Sequence, residues 1–310
     1  MTVSRRELLK RLPAAAAVLP LFAQAEHGPD FHFPVNPRER LAVTSYPFRA
    51  YIESPTNRGR DRSKQGMDVK EFAAMVARRF GVPNINPLSD HFASTDPAYL
   101  EAFRTAVEKA GSHVVDLGLS GGYFYSPDEA KRTAGVEYGR KWIDIAKVIG
   151  SPSVRQHVRG DARSPQSVNL AAESLGRLAE YGATRNIIVN LENDSPVPED
   201  PFFLVSIIEK VNNPYLRALP DFGNSLMGHD HSYNQKAVKA MFRHAYGMAH
   251  VKDEVRSHDG KQYRVDLPKM FAIAKASSYR GYFSMEFDTG SGDPFEGTRR
   301  LVEESLKYLK

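Results

Sequence analysis

The chain has 310 residues, of which 41% are hydrophobic and 25% charged, a composition typical of a globular protein and not of a disordered or fibrous one. It contains no cysteine, which excludes disulfides and thiolate metal sites. The formal net charge of +5 falls to +2 without residues 1–25, so the remaining chain gives no global electrostatic reason to expect nucleic acid as a partner.

The N-terminus carries the features of an export signal. Arg5 and Arg6 precede an apolar stretch at residues 12–22, and Ala23-Gln24-Ala25 supplies a small-residue cleavage pattern. The stretch is shorter than the roughly 20 apolar residues that span a bilayer and contains two prolines, which argues against a stable membrane anchor. Residues 1–25 resemble a bacterial twin-arginine signal, and the resemblance implies a periplasmic or secreted protein.

Residues 26–40 contain three prolines without helical or strand periodicity and predict an extended leader. From residue 41 onward, strand-like apolar runs alternate with helical patterns. The predicted strands begin near residues 41, 82, 113, 153, 187, 216, 248 and 282. The predicted helices begin at Asp68, Asp96, Ser126-Pro127-Asp128-Glu129, Ser164, Asp200, Asn234, Asp266 and Asp293.

Eight strand and helix pairs with a period of about 30 to 40 residues are typical of βα units in a parallel sheet. They predict that residues 41–310 form one α/β domain, a (β/α)8 TIM barrel. A doubly wound open sheet is the alternative, but no glycine-rich phosphate loop follows an early strand.

Four ligand-type side chains stand at the C-terminal ends of the last four predicted strands: Glu192, Asp221, His250 and Glu286. Because these strand ends converge on one face of a parallel barrel, we expect the four side chains to surround one point. Any one of them alone could be a solvated loop residue or a helix cap. Together, three carboxylates and an imidazole predict a site for one divalent metal ion, of the kind Mn, Mg, Co or Zn.

These residues lie in four short motifs, Leu191-Glu192-Asn193, Leu219-Pro220-Asp221, Ala249-His250-Val251-Lys252-Asp253 and Met285-Glu286-Phe287. The motifs resemble the metal-ligand motifs of the xylose-isomerase-like barrels grouped as sugar phosphate isomerases/epimerases, and the resemblance covers most of residues 41–310. It implies that Glu192 and Glu286 also act as acid/base groups on opposite faces of the substrate. It further implies that Arg256, six residues beyond the histidine, binds substrate.

Such a site predicts proton abstraction next to a carbonyl. The metal would polarise the carbonyl, one glutamate would remove the adjacent proton, and the other would return a proton to the resulting enediolate. We therefore predict a metal-dependent isomerase or epimerase of a sugar or hydroxy-ketone, with a small-molecule sugar or sugar derivative as its partner and homo-oligomerisation as a possibility.

Three alternatives compete with this prediction. A lyase that cleaves oxidised (keto) glycosides by β-elimination would use the same proton abstraction, and the predicted export weakly favours it. A non-catalytic sugar-binding barrel is the second, and the complete ligand set argues against it. The three-zinc nucleases of this fold are the third; the amide at Asn224 and the lack of an Asp-x-His pair in residues 259–264 argue against them.

Four further residues are candidate substrate contacts. Lys252 could offset negative charge or bind hydroxyls, or be an ordinary surface cation. Asn224 stands where many family members carry a histidine, and an amide can hydrogen-bond a sugar hydroxyl but cannot donate a proton near neutral pH. His157 ends the fourth strand and suits a pocket or a hydrogen-bonded core position, and Tyr46 could stack on a sugar ring or pack in a lid.

Overall fold

The computed structural model describes residues 28–310 with the exception of Arg163, His258, Asp259, Thr289 and Ser291. The predicted export signal therefore lies outside the described residues. Among the residues that the structure describes, no helix combines the length and the apolar character needed to cross a bilayer.

Short parallel strands form the inner layer of the fold. The strands are β1 (Leu41–Thr44), β2 (Asn84–Asn86), β3 (His113–Val114), β4 (Leu117–Gly118), β5 (Ser153–Gln156), β6 (Ile188–Glu192), β7 (Leu216–Leu219), β8 (Met248–Val251), β9 (Glu254–Arg256), β10 (Gln262–Arg264) and β11 (Tyr282–Met285). One sheet has the order β3-β2-β1-β11-β8, a second has the order β4-β5-β6-β7, and β9 and β10 form a separate antiparallel pair.

The two parallel sheets close into a barrel. A bridge between Leu88 and Gly118 joins them at one seam, and a bridge between Asp221 and His250 joins them at the other. The predicted single-domain (β/α)8 barrel is confirmed by this closure. The third predicted strand differs in detail, because it is interrupted at Val115 and Asp116, where it passes from pairing with β2 to pairing with β5.

An outer layer of helices surrounds the strands. Over the described residues the α-helices are α1 (Phe72–Phe80), α2 (Pro97–Lys109), α3 (Glu129–Ile149), α4 (Val168–Arg185), α5 (Pro201–Val211), α6 (His231–Phe242), α7 (Leu267–Ala276) and α8 (Pro294–Tyr308). Most of these helices begin at the capping residues that the sequence analysis identified. Asp200, for example, accepts hydrogen bonds from two backbone N–H groups at the start of α5.

Two predicted helix starts are wrong. The fourth helix begins after Ser167, whose side chain accepts the Leu170 N–H, and not at Ser164. The sixth helix is capped by Asp230. Asn234 is buried inside that helix, where its amide donates to the Phe222 carbonyl and so ties the helix to the strand end that precedes it.

The barrel interior is apolar toward the N-terminal ends of the strands and polar toward their C-terminal ends. Ala42, Val115, Leu219 and Met248 form a small buried cluster inside the barrel. Because side chains alternate along a strand, Leu219 and Met248 point the same way as the residues two positions later, which are Asp221 and His250. The apolar cluster therefore lies on the N-terminal side of these two ligand-type residues.

The predicted leader packs against the N-terminal end of the barrel. Residues 28–36 have no regular secondary structure, and Pro37–Arg40 forms a 3-10 helix that leads into β1. The ring of Phe33 contacts the rings of Tyr246 and Tyr282 edge-on, at centroid distances of 5.3 and 5.7 Å. The hydroxyl of Tyr246 donates to the Pro29 carbonyl at 2.8 Å. These contacts fasten the leader beside the starts of β8 and β11.

Candidate metal and active site

Four ligand-type side chains converge at the C-terminal ends of consecutive barrel strands. Glu192 ends β6, Asp221 follows β7 by two residues, His250 lies on β8 and Glu286 directly follows β11. One ligand atom from each residue lies within 4.8 Å of the others. All four residues are buried, with at most 7% of their surface exposed. The structure thus brings together residues that are up to 94 positions apart in the sequence.

The contacts within this ligand set leave two carboxylate oxygens close to cationic groups but outside hydrogen-bonding geometry. His250 Nδ1 lies 2.7 Å from Glu192 Oε1 and 2.7 Å from Glu286 Oε2. Asp221 Oδ1 accepts the N–H groups of Gly223 and Asn224 at 2.8 and 2.7 Å. Among the described residues, however, neither Asp221 Oδ2 nor Glu286 Oε2 has a partner in hydrogen-bonding geometry. Buried anionic oxygens are normally satisfied, so these two atoms fit a bound cation.

Two buried side-chain cations border the ligand set. Lys252 Nζ lies 3.4 Å from Asp221 Oδ2 and 3.7 Å from Glu286 Oε2. Arg155 Nε lies 3.2 Å from Glu192 Oε2. Three carboxylates facing two fixed cations leave one negative charge, which either a proton on His250 or a metal ion can balance. The donor set and its charge therefore suit a divalent cation.

Electrostatics hold Glu192 as a carboxylate. Burial alone would raise the pKa of Glu192, but His250 and Arg155 outweigh burial and lower this pKa to about 2. Conversely, burial would lower the pKa of His250, whereas Glu192 and Glu286 raise it well above its ordinary value. Without a metal, His250 consequently keeps a proton between the two glutamates. A cation that binds Nδ1 takes the place of that proton.

The other two carboxylates differ from each other. Burial raises the pKa of Asp221 to about 6, and Lys252 offsets this effect only in part. Burial would also raise the pKa of Glu286, but Lys252 and His250 lower it below its ordinary range. The carboxylates of Asp221 and Glu286 in turn raise the pKa of Lys252 above its ordinary value, against the effect of burial. Lys252 is therefore an ammonium ion within the site.

The structure places two of the predicted substrate contacts beside the ligand set. Lys252 Nζ donates to Asn224 Oδ1 at 2.6 Å, and both residues are buried. Lys252 is thus not an ordinary surface cation, the alternative that its sequence position left open. Tyr46 is 39% exposed, with its ring 4.1 Å from the Arg49 guanidinium. Arg256 is exposed on β9, where its backbone N–H donates to Asp288.

Tyr46 and Arg256 have no direct polar contact with the ligand set. Over the described part of the chain, neither residue forms a hydrogen bond or an ion pair with the four ligand-type side chains. A role for either residue in substrate binding stays a prediction.

His157 belongs to a hydrogen-bonded cluster next to the site. It could form a second ligand group with Asp194 and Glu199, since their oxygens lie near one another. However, His157 Nδ1 bonds to Glu199 Oε1 at 2.8 Å, and Nε2 contacts the guanidinium of Arg155. Because arginine only donates, Nε2 is the acceptor and Nδ1 carries the proton. Both ring nitrogens are committed, which favours the hydrogen-bonded core role over a metal ligand.

Sequence reasoning missed two residues that touch the ligand set, Arg155 and Asn86. Asn86 ends β2, and its Oδ1 lies 2.9 Å from His250 Nε2 across the barrel. A signal for Arg155 was present, because Ser153 and Arg155 on β5 and His157 just after it occupy alternate positions of the chain. Polar residues with a period of two indicate a polar inner face, and in a barrel that face borders the site.

Comparison with known proteins identifies relatives of the chain. The family model described as xylose isomerase-like TIM barrel matches residues 66–310. A search against curated protein sequences finds no match.

Three solved structures illustrate the likeness. The 3-keto-D-glucoside 4-epimerase YcjR from E. coli is 15% identical with a TM-score of 0.62, over 87% of this chain and 98% of that one. D-allulose 3-epimerase from Methylomonas sp., in complex with D-allulose, is 18% identical with a TM-score of 0.65, over 91% and 98%. A xylose isomerase-like TIM barrel protein from Mycobacterium smegmatis, in complex with magnesium, is 16% identical with a TM-score of 0.65, over 93% and 99%. At these identities the likeness establishes the fold, and function has to be argued from the site.

Proposed function

Since the chain belongs to the xylose isomerase-like TIM barrel family, we propose that it is a divalent-metal-dependent isomerase or epimerase of a sugar or a hydroxy-ketone. The observation that carries the proposal is the convergence of Glu192, Asp221, His250 and Glu286, with two buried oxygens that no described donor reaches in hydrogen-bonding geometry. A purely structural cluster would have no reason to bury unsatisfied carboxylate oxygens at the end of the barrel where catalytic residues collect.

The metal would be held by these four side chains. When bound, it would supply Lewis-acid polarisation of a substrate carbonyl and so make the neighbouring C–H more acidic. Asp221 has one oxygen fixed by two backbone N–H groups, which aims the other at the centre of the site. The magnesium in the M. smegmatis relative supports a divalent ion in this family of barrels.

Glu192 and Glu286 are the proposed acid/base pair. The one that begins as a carboxylate takes the proton from the carbon next to the carbonyl, and the electron pair of that C–H bond passes into an enediolate. Because both glutamates are carboxylates in the metal-free site, the other must first take up a proton from solvent, and in epimerisation it delivers this proton to the opposite face of the same carbon. In isomerisation a proton is returned to the adjacent carbon.

Lys252 and Asn224 are proposed to stabilise the charge that develops on the substrate oxygen. The ammonium group of Lys252 is buried and fixed by its 2.6 Å hydrogen bond to Asn224, so it needs little reorganisation during the reaction. Arg155 contacts Glu192 and not the ligand centre, and we assign it the role of orienting that carboxylate.

The substrate is proposed to be a small sugar or an oxidised glycoside. The D-allulose bound to the Methylomonas relative and the keto-glucoside named for the E. coli relative support this class. A second candidate function, the lyase that cleaves keto-glycosides by β-elimination, is favoured by the latter relative together with the predicted twin-arginine export. Elimination would use the same proton abstraction and would differ only in the bond that breaks next.

Proton exchange tests the proposal directly. The protein loaded with Mn²⁺ is incubated in deuterated water with a panel of free ketoses and 3-keto-glucosides. Mass spectrometry of the product then separates an isomer of unchanged heavy-atom composition from a cleaved glycoside. We expect deuterium incorporation next to the carbonyl, and at least about a hundredfold slower turnover in Glu192→Gln or Glu286→Gln, the lower end of a general acid/base contribution.

Glu101→Gln, on the exposed face of α2, is the matched control and should retain activity. Binding of these sugars without any deuterium exchange would refute both catalytic proposals and support the sugar-binding barrel. Cleavage without isomer formation would replace the isomerase by the lyase.

A further inference from the structure

Asp116 is a buried carboxylate that the proposed reaction does not use. It occupies the break between β3 and β4 and is fully buried. Its Oδ1 accepts from Ser153 Oγ at 2.5 Å and from Asn190 Nδ2 at 3.0 Å, and its Oδ2 accepts from Asn86 Nδ2 at 3.2 Å. Donors from three different strands thus converge on one carboxylate inside the barrel, and this arrangement needs an explanation.

The contacts of Asn86 fix which way its amide points. Its Nδ2 donates to the backbone carbonyl of Asp116 at 3.0 Å as well as to the carboxylate. Its Oδ1 lies 2.9 Å from His250 Nε2 and 3.4 Å from Ser284 Oγ, both of which can donate. The reversed amide would place Oδ1 against two oxygens of Asp116. Asp116 therefore permits only the orientation that turns Oδ1 toward His250.

This orientation determines where His250 carries its proton. An amide oxygen only accepts, so His250 Nε2 must be protonated to bond to Asn86. In the neutral imidazole, the lone pair is then on Nδ1, the nitrogen that faces Glu192 and Glu286. This is the tautomer that a metal ion at the centre of the site requires.

We propose that Asp116 and Asn86 are positioning residues that act through His250: Asp116 orients the Asn86 amide, and the amide oxygen holds the His250 tautomer that presents Nδ1 to the metal. The inference rests on the proposed metal site and extends it across the barrel, to a carboxylate that does not itself touch the ligand set. Partners of this kind commonly change metal affinity by about 10- to 100-fold when they are replaced.

Two substitutions and their combination test the inference. In Asp116→Asn, one carboxylate oxygen becomes an NH2 group, so the side chain holds the Asn86 amide less firmly and the backbone carbonyl of residue 116 is left as its second acceptor. We expect the dissociation constant for Mn²⁺, measured by titration calorimetry, to rise by about 10- to 100-fold. Asn86→Leu removes the acceptor for His250 Nε2–H and should weaken binding at least as much. The double variant Asn86→Leu/Asp116→Asn should bind Mn²⁺ as well as Asn86→Leu alone, because Asp116 then has no amide to orient.

Circular dichroism and thermal unfolding of the metal-free proteins separate this effect from loss of the fold. Wild-type Mn²⁺ affinity in folded Asp116→Asn, or losses that add up in the folded double variant, would overturn the inference and leave the proposed metal site intact.

The imidazole ¹⁵N spectrum of the metal-free protein gives a readout that does not depend on metal binding. It should show the His250 Nε2 proton protected from solvent exchange in the wild type and exchanging faster in Asp116→Asn, with the signal assigned by its loss in His250→Gln. If wild-type protein binds no Mn²⁺, the proposed function fails, and this spectrum alone decides the orienting role. Equal protection in both proteins would refute it.

Discussion

Replacement of Asp221 by asparagine should separate the stability of the protein from its affinity for metal. The amide oxygen keeps both backbone hydrogen bonds of Asp221 Oδ1, so the local fold is retained. What changes is the second oxygen, which is buried 3.4 Å from Lys252 Nζ without hydrogen-bonding geometry and is the proposed metal ligand. The variant therefore removes one of the three proposed anionic ligands while the packing stays nearly constant.

The magnitude follows from mass action. A ligand at a hundred times its Kd stabilises the folded state by about 2.7 kcal/mol, which raises the Tm of a domain of this size by about 5–8 °C. If Asp221→Asn weakens binding a hundredfold, the same metal concentration stabilises by only about 0.4 kcal/mol, or about 1 °C. Chelator-treated protein melted with and without Mn²⁺ measures both shifts.

In the metal-free protein, the same substitution should increase the free energy of unfolding. Because burial raises the pKa of Asp221 from 3.8 to about 6, the folded state binds this proton more tightly than the unfolded chain does. The stabilisation that protonation provides is therefore complete below about pH 4 and is lost as the pH rises through 6, at a cost of up to about 3 kcal/mol. At pH 8, metal-free Asp221→Asn should be more stable than the wild type because it no longer buries this charge. The gain should be about 1–2 kcal/mol and not the full 3 kcal/mol, since Lys252 loses a carboxylate partner.

Asp96→Asn is the matched control, because Asp96 is exposed and its side chain makes no capping bond. It should keep the full metal shift. A metal shift in Asp221→Asn equal to that of the wild type would show that Asp221 is not a ligand and would refute the assignment of the site.

Two further predictions concern residues outside the site. Burial lowers the pKa of His91 to about 3, and its neutral ring lies 2.7 Å from Ser45 Oγ. Its contribution to stability is therefore complete above pH 6.5 and is lost at about 1.4 kcal/mol per pH unit as the pH falls toward 3. His91→Asn keeps an acceptor for the serine and should reduce the slope of the urea-unfolding free energy between pH 6.5 and 4.5; an unchanged slope would exclude His91 as the cause. Gly182→Ala would place a Cβ 2.4 Å from the Ile187 carbonyl oxygen and should lower the free energy of unfolding by about 2 kcal/mol or more. Gly247→Ala, whose Cβ would meet its nearest neighbour only at 4.0 Å, should be nearly neutral, and equal destabilisation by both would contradict this steric explanation.

The sequence was sufficient to predict the barrel because its period is carried by local signals. Apolar runs mark the strands, and residues such as Asp200 satisfy the first N–H groups of the helices that follow. The errors at Ser164 and Asn234 arose where several capping residues compete within one short loop. In the latter case Asp230 provides the cap, and the asparagine is used for a tertiary bond to Phe222.

The ligand set was predictable for the same reason, since each strand end presents its own acid or imidazole. Arg155 and Asn86 were not, because their importance comes from contacts across the barrel. Asn86 meets His250 from a strand 164 positions away in sequence. The second strand was predicted to begin near residue 82, but it begins at Asn84, directly after Pro83, which cannot donate to a strand ladder. No local pattern distinguishes an asparagine that orients a ligand from one that closes a turn.

The site also explains why part of the barrel interior is polar, at a cost in stability. Leucine or methionine at positions 116 and 190 would cost less free energy to bury than Asp116 and Asn190 do, since buried polar groups gain little even when they are hydrogen-bonded. Asn190 Oδ1 has no partner among the described residues, and such an atom is a net penalty. A penalty of this kind persists where the contacts that it maintains are needed. Here the hydrogen bonds of Asp116 lead through Asn86 to His250 Nε2. The polar layer is therefore best explained as the support of the proposed metal site. The variants of Asn86 and Asp116 test this explanation independently of the Asp221 variant.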